Sequence, residues 1–363
     1  MTKANNKKIC IVVSSLGIGG AEKSSALLSI LLDKLGFDVY IVSVLDYISY
    51  NYKGQLLNLG ELKKERDSHL GRLNRLLILK KHIKQHKFNY IIDNRSRIGA
   101  LKEFIISRVI YKNTNIIYSV HSFNTKQYIT PNKFIGRIIY GTSYKIVAVS
   151  KAISEKLKRD YNFKNVEVIY NPIEDNLVAT HHQTKDEAAK YILFYGRLDN
   201  DVKNISLLLS AYKTSILPPN NIKLKLLGDG KDLPFLQKEV TTLQLSNYVE
   251  FLPYNPNPQP IVKNAFFTVL TSKYEGFPLV LIESLALGTP VVSVDCKSGP
   301  NEIITNKENG LLVENFNADA LATAMNTMLE DKQLYLHCKT NAQTSVAKFS
   351  KAIIATQWQS LLK

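Results

Sequence analysis

Short apolar runs and longer amphipathic segments take turns along this chain. Lys8 to Ser14, Val39–Val44, Tyr90–Asp93, Asn115–Val120 and Lys145–Val149 are rich in Ile and Val and read as strands. The segments between them carry apolar residues at helical spacing. That alternation predicts a parallel sheet with helices on both faces. Residues 174–190 break the pattern with a polar stretch containing His181-His182, read as a linker without metal-ligand spacing. The alternation resumes with a strand at Tyr191–Tyr195, a strand and turn at Leu224 to Gly230 and a strand end at Glu250-Phe-Leu-Pro-Tyr254. Residues 1–173 and 191–345 are therefore expected to be two α/β domains, with 346–363 a terminal helix.

The densest patterning lies between Ser272 and Val294. Leu279 to Leu287 is nearly all apolar and reads as a buried helix, with Pro278 in its first turn. Gly288 and Pro290 end it, and Val291–Val294 is a β-branched strand. Glu275 in the entering loop and Glu283 inside the helix interrupt this run. A buried carboxylate needs a partner, and a helix N-terminus attracts anions. Acid, anion cradle and second acid suit a ligand with phosphate in the middle and hydroxyl-bearing groups at both ends.

Glu275-Gly-Phe-Pro-Leu-Val-Leu-Ile-Glu283 resembles the E-x7-E motif of family 4 retaining glycosyltransferases. The resemblance implies the GT-B fold, two Rossmann-like α/β domains facing across a cleft. In it the second domain holds a nucleotide sugar and the first an acceptor, and the last helix crosses back to the first domain, anchored by Trp358. It implies that Glu275 contacts the transferred sugar and Glu283 the ribose hydroxyls. Backbone N–H groups from Gly276 through Phe277, Pro278 and Leu279 to Val280 would border phosphate or sugar, Pro278 itself having none to offer. Gly196-Arg197-Leu198 and Lys203-Asn204 are similar to the family's diphosphate clamp, in which Arg197 and Lys203 stabilise the leaving phosphate. Gly19-Gly20-Ala-Glu22 is similar to its first loop, although Glu22 breaks the dinucleotide fingerprint. His121, after a strand end, matches a histidine near the donor sugar. Tyr254 falls where the base is cradled; Pro253 replaces the usual small residue and leaves the base open, with UDP the expected carrier. Cys296-Lys-Ser-Gly-Pro-Asn-Glu302 and Asn309-Gly-Leu-Leu-Val313 look like the family's late motifs, common in bacterial surface-polysaccharide enzymes. No residue is an evident nucleophile, so front-face displacement and a covalent intermediate both stay open.

Composition adds limits. Three well-separated cysteines among 363 residues suit a reducing cytoplasm, and no cofactor or metal is expected. Asp199-Asn-Asp201 has the form of a metal-binding Asp-x-Asp but sits inside the arginine–lysine loop, and reads as a polar turn. Lys7 and Lys8 precede only a short apolar run, so no secretory leader is expected, and no stretch is long enough to span a bilayer. The formal charge is +16, and all of it lies in residues 1–174, with 29 Lys and Arg against 13 Asp and Glu; the remainder holds 18 of each. That asymmetry suggests an anionic membrane surface holding a lipid-linked or glycan acceptor, hence a peripheral cytoplasmic enzyme. The basic segment Leu70 to Lys87 is a candidate contact, unless its leucines simply pack on the sheet. A nucleic-acid binder is the rival from another class, disfavoured because the motif-bearing half is neutral; another GT-B activity, such as an epimerase or phosphorylase, is the nearer one.

Overall fold

The computed structural model describes residues 7–17, 19–65, 67–174 and 191–363. The expected linker lies almost wholly outside them. Two compact units result: residues up to Pro172 together with Lys351–Lys363, and Ile173–Ser350.

The first unit runs β1 (Lys8–Val13), α1 (Gly20–Lys34), β2 (Asp38–Ser43), β3 (Gln55–Asn58), α2 (Leu59–Glu65), α3 (His69–His86), β4 (Tyr90–Asp93) and α4 (Ala100–Ile105), which continues as a π-turn at Ile106–Ile110. Then come β5 (Asn115–Val120), α5 (Lys133–Tyr140), β6 (Lys145–Ala148), α6 (Lys151–Tyr161) and β7 (Val166–Val168). The sheet is parallel, in the order β3-β2-β1-β4-β5-β6-β7. Alternate residues of β1 feed two cores. Ile9, Ile11 and Val13 face α1, while Cys10 and Val12 face Leu79 and Ile83 of α3 and Ile106 of the π-turn. Strand order advances one way from β1 to β3 and the other way from β4 to β7. Right-handed crossovers therefore place α4, α5 and α6 on the face opposite α1, the face that α3 also covers.

The second unit runs β8 (Tyr191–Tyr195), α7 (Asn200–Lys203), α8 (Ile205–Thr214), β9 (Lys223–Leu227), α9 (Leu233–Thr242), β10 (Val249–Leu252), α10 (Gln259–Lys263) and β11 (Thr268–Leu270). It continues through α11 (Leu279–Ala286), β12 (Val291–Val294), α12 (Pro300–Ile303), β13 (Gly310–Val313), α13 (Ala318–Glu330) and α14 (Lys332–Ser345). Its sheet is also parallel, ordered β10-β9-β8-β11-β12-β13. α15 (Lys351–Leu361) belongs to the first unit, where Ile354 and Trp358 are buried beside β1 residues. The return starts at Lys351 rather than 346, because Phe349 is buried edge-on against Phe277 of the second unit.

Candidate functional site

Open parallel sheets bind ligands outside the strand carboxyl ends, where the strand order reverses. In the second unit that point lies between β8 and β11. The loop after β8 carries Arg197 and leads into α7, which ends at Lys203. The loop after β11 carries Ser272 and Glu275 and leads into α11. The two loops are laced together: the Lys273 N–H donates to the Val202 carbonyl at 2.8 Å, and the Thr271 hydroxyl to the Lys203 carbonyl at 2.9 Å. Lys203 Nζ then lies 2.7 Å from Glu275 Oε1, which also accepts from the Ser272 hydroxyl at 2.7 Å. Both charged side chains keep a little solvent access, 17% for Lys203 and 13% for Glu275. Arg197 is different. It is 62% exposed, and its Nε lies 3.7 Å from Asp199.

Backbone packing sets these loops. The turn after β9 backs the Arg197 loop, with Gly196 N–H donating to Leu227 and Leu198 N–H to Asp229. A Cβ on Gly228 would lie 1.9 Å from the Gly196 carbonyl oxygen, so only glycine allows this approach. The Cys296–Glu302 segment supports the Glu275 loop in the same way. Glu275 N–H donates to the Lys297 carbonyl at 2.6 Å, Ser298 Oγ to the Gly276 carbonyl at 2.9 Å, and Gly299 lies against Pro278.

α11 begins at Leu279, so Pro278 is its N-cap rather than a residue of its first turn: its ψ of 98° is extended. No side chain caps this end, which leaves first-turn N–H groups for a ligand or water. Tyr195, at the end of β8, donates to the Val280 carbonyl at 2.5 Å and ties α11 to the strand. Burial and the nearby Glu283 carboxylate push the Tyr195 hydroxyl well above its usual range, so it stays a donor. Glu283 is half-buried within α11. Tyr254 stands apart from this group, 42% exposed after the edge strand β10, two strands from β8.

Asp199 precedes the single helical turn of α7, and oxygens of Asp199, Asp201 and Asp232 lie within 4.8 Å of one another. Lys231 Nζ is 2.6 Å from Asp201 and 3.6 Å from Asp199, and Asp232 accepts from the Asn200 N–H. Local donors thus engage Asp201 and Asp232, while Asp199 Oδ1 is buried without a hydrogen-bond partner among the described residues.

In the first unit Gly19 is the N-cap of α1, with φ 139°, and its N–H meets the Tyr50 hydroxyl at 3.4 Å. His121 follows β5 and lines a cavity of about 20 Å³ with Ser24, Asn94, Asn171 and Trp358. Both its ring nitrogens are shielded from solvent and lack a hydrogen-bond partner among the described residues. Burial, and then the Arg97 charge, pull its pKa down to about 3, so the ring is neutral.

Beside it lies a cluster that sequence reading missed. Arg95 pairs with Asp93 at 2.6 Å and Glu103 at 3.1 Å, all three buried. Arg97 is 1% exposed, stacks 4.9 Å from the Tyr118 ring, and donates to the carbonyls of Asp93, Arg95, Ser119 and Tyr128. These bonds join the loop after β4 to the end of β5, two residues before His121. The signal was the run Asp93-Asn-Arg-Ser-Arg97 directly after a strand, a place where ligands or closed ion networks form. The three cysteines are buried and their thiols pushed up by burial, which makes them unreactive.

Residues 18–177 match the Glycosyltransferase Family 4 family and residues 179–345 the Glycosyl transferases group 1 family. Over 96% of its length the chain is 32% identical to a Campylobacter jejuni protein, covering 97% of that protein. It is the N-acetylgalactosamine-N,N'-diacetylbacillosaminyl-diphospho-undecaprenol 4-alpha-N-acetylgalactosaminyltransferase. It is 22% identical over 98% of its length to the amylovoran biosynthesis glycosyltransferase AmsD of Erwinia amylovora, covering 99% of it. HepE from Anabaena, solved with UDP-glucose, has a TM-score of 0.78 at 20% identity, with 98% of this chain and 99% of that one covered.

Proposed function

Because the chain belongs to the family 4 glycosyltransferases and has their GT-B fold, as a hexosyltransferase of bacterial surface-glycan assembly, we propose that it moves a sugar from a UDP-sugar to a lipid-linked or glycan acceptor. Anomeric configuration is retained, no metal is obligatory, and the enzyme works peripherally at the cytoplasmic face of a membrane. One observation carries the reading. At the switch point of the second sheet, the loop after β8 carries an exposed arginine and leads to a lysine paired with a carboxylate of the loop after β11, and that second loop leads into the uncapped N-terminus of α11.

The chemistry follows from those groups. When the glycosidic bond breaks, negative charge grows on the leaving diphosphate. Fixed cations and oriented N–H groups lower that barrier because they need not reorganise. Arg197 is extended into solvent and can fork onto two phosphate oxygens. Lys203 acts as a point charge held in place by Glu275, and Glu275 in turn borders the transferred sugar. Glu283 takes the ribose hydroxyls. The relatives support donor and acceptor: HepE was solved with UDP-glucose, and the Campylobacter relative is named for a diphospho-undecaprenol acceptor.

A thermal-shift screen of UDP, GDP and ADP tests the donor. UDP at 100 times its dissociation constant should stabilise the enzyme by roughly 2.7 kcal/mol, and the others less. A larger shift with GDP or ADP would reassign the base. Proton NMR of the product's anomeric coupling tests retention, and an inverted anomer would overturn it.

A further inference from the structure

The helical layer of the first unit that covers the α3 side of the sheet has an apolar outer surface. On α3, Leu79 and Ile83 pack inward, while Leu73 and Leu77 point out, 54% and 56% exposed. The expectation that the α3 leucines pack on the sheet thus holds for only one side of the helix. Next to α3, α4 and its π-turn present Leu101 at 74% and Val109 at 45%. Next to α4, α5 presents Phe134 at 72% and Ile138 at 36%. Large apolar side chains on three adjacent helices form a patch that single exposed residues would not require explaining.

Its charge is one-sided. α3 carries five Lys and Arg, α4 with its π-turn two, and α5 two; the only acid among these helices is Glu103, buried and paired with Arg95. Asp67, just before α3, engages Arg72 and Arg75, which leaves Lys80, Lys81 and Lys84 exposed along the helix. A pocket of about 220 Å³ between α5 and α6 adds Lys126 beside Lys133; its one acid, Asp160, is paired with Lys156 at 3.4 Å and with Arg159 at 3.0 Å. A second copy of the chain is a poor occupant, because a two-fold contact would set these positive faces against each other. Apolar side chains ringed by Lys and Arg fit an interface that is anionic at its surface and hydrocarbon just below it.

We propose that the outer surface of α3, α4 and α5 docks on an anionic lipid bilayer, its leucines and phenylalanine entering between the headgroups and its lysines meeting lipid phosphates. This rests on the reading of a lipid-linked acceptor but is tested apart from it. The full chain is sedimented with phosphatidylglycerol-containing or pure phosphatidylcholine vesicles. Binding should be confined to the anionic vesicles. It should weaken at least ~10-fold when Leu73, Leu77, Leu101 and Phe134 are all changed to Ser, and by a similar factor when Lys80, Lys81 and Lys84 are changed to Glu. UDP affinity should stay unchanged in both variants, so a failed docking surface and a failed donor site are told apart. Should the serine variant not fold, Leu101→Cys can be labelled with an environment-sensitive dye, since the three native cysteines are buried. A blue shift on anionic vesicles supports insertion. Wild-type binding equal on the two vesicle types, undiminished binding of the serine variant, an unshifted dye, or a wild-type dimer that the serine changes dissolve would each overturn the proposal.

Discussion

Changing Arg197 and Lys203 singly to alanine should separate a residue kept for the donor from one that also holds the protein together. Arg197 is 62% exposed and reaches Asp199 only at 3.7 Å. An exposed pair of that kind contributes about 0–1 kcal/mol, so Arg197→Ala should shift the melting temperature by no more than ~2 °C. Its bonds to a diphosphate are charge-assisted, worth about 1.5–3 kcal/mol, so UDP should bind roughly 10- to 150-fold more weakly. Lys203 sits 2.7 Å from Glu275 with little solvent on either side. Breaking a fully buried pair costs about 3–5 kcal/mol. Here some water remains and the Ser272 hydroxyl still donates to Glu275, which brings the cost down to about 1–2 kcal/mol. Lys203→Ala should therefore lose both UDP affinity and several degrees of melting temperature. Calorimetric titration of UDP and a thermal melt on each variant read the two effects separately. If Arg197→Ala binds UDP within about twofold of wild type, or if the two variants melt alike, the division of labour argued from their exposure is wrong.

Other tests bear on the same frame. Gly228→Ala places a Cβ 1.9 Å from the Gly196 carbonyl oxygen and should cost about 2 kcal/mol or more; a melting curve and UDP affinity like wild type would show that the loop yields. Saturating EDTA should leave turnover intact, because Lys231 already engages Asp199 and Asp201; loss restored by Mn²⁺ would move metal to that turn. His121, with its pKa lowered to about 3 against an ordinary 6.5, is neutral when folded. The stability this provides is complete above about pH 6.5 and is lost as pH falls toward 3, at roughly 1.4 kcal/mol per pH unit. His121→Gln should thus show a smaller drop in melting temperature from pH 7 to pH 5 than wild type, and an equal drop would remove His121 from the acid response.

Four strands buried along most of their length were legible end to end. Tyr90–Asp93, Asn115–Val120, Tyr191–Tyr195 and Val291–Val294 stand where their continuous apolar runs place them. β3 and β7 escaped because they are the two edges of their sheet, and Gln55 and Glu167 dilute their apolar signal. β11 is only three residues long and hides inside a longer apolar run. The candidate site offered residue types at two loops, but not a pair: Lys203 and Glu275 are 72 residues apart, and nothing local says that they touch. The α3 leucines were visible as a helical pattern; which of them the sheet would leave uncovered depends on α4 and the crossover, not on periodicity. Arg95 and Arg97 were not singled out, since a sequence does not show that Asp93, Glu103 and three tyrosines surround them.

The two units share one plan and put it to opposite uses. Each reverses strand order beside its first strand, and each places charged residues in the loop beyond the neighbouring strand: Asp93 to Arg97 after β4, Ser272 to Glu275 after β11. In the first unit the charges are sealed. Asp93, Arg95, Arg97 and Glu103 are each 6% exposed or less, matched in sign, and bonded to carbonyls and to one another. A ligand could reach them only by prising apart buried ion pairs in low dielectric, where every orphaned charge is expensive. In the second unit the pair keeps a solvent edge, and Arg197 is left out in water. On the proposed reading, an incoming diphosphate would exchange water for the Arg197 guanidinium without breaking a buried ion pair. On that donor reading, the same topology yields a rigid frame in one sheet and a binding place in the other, and the difference lies in how deeply each loop's charges are buried and paired before a ligand arrives.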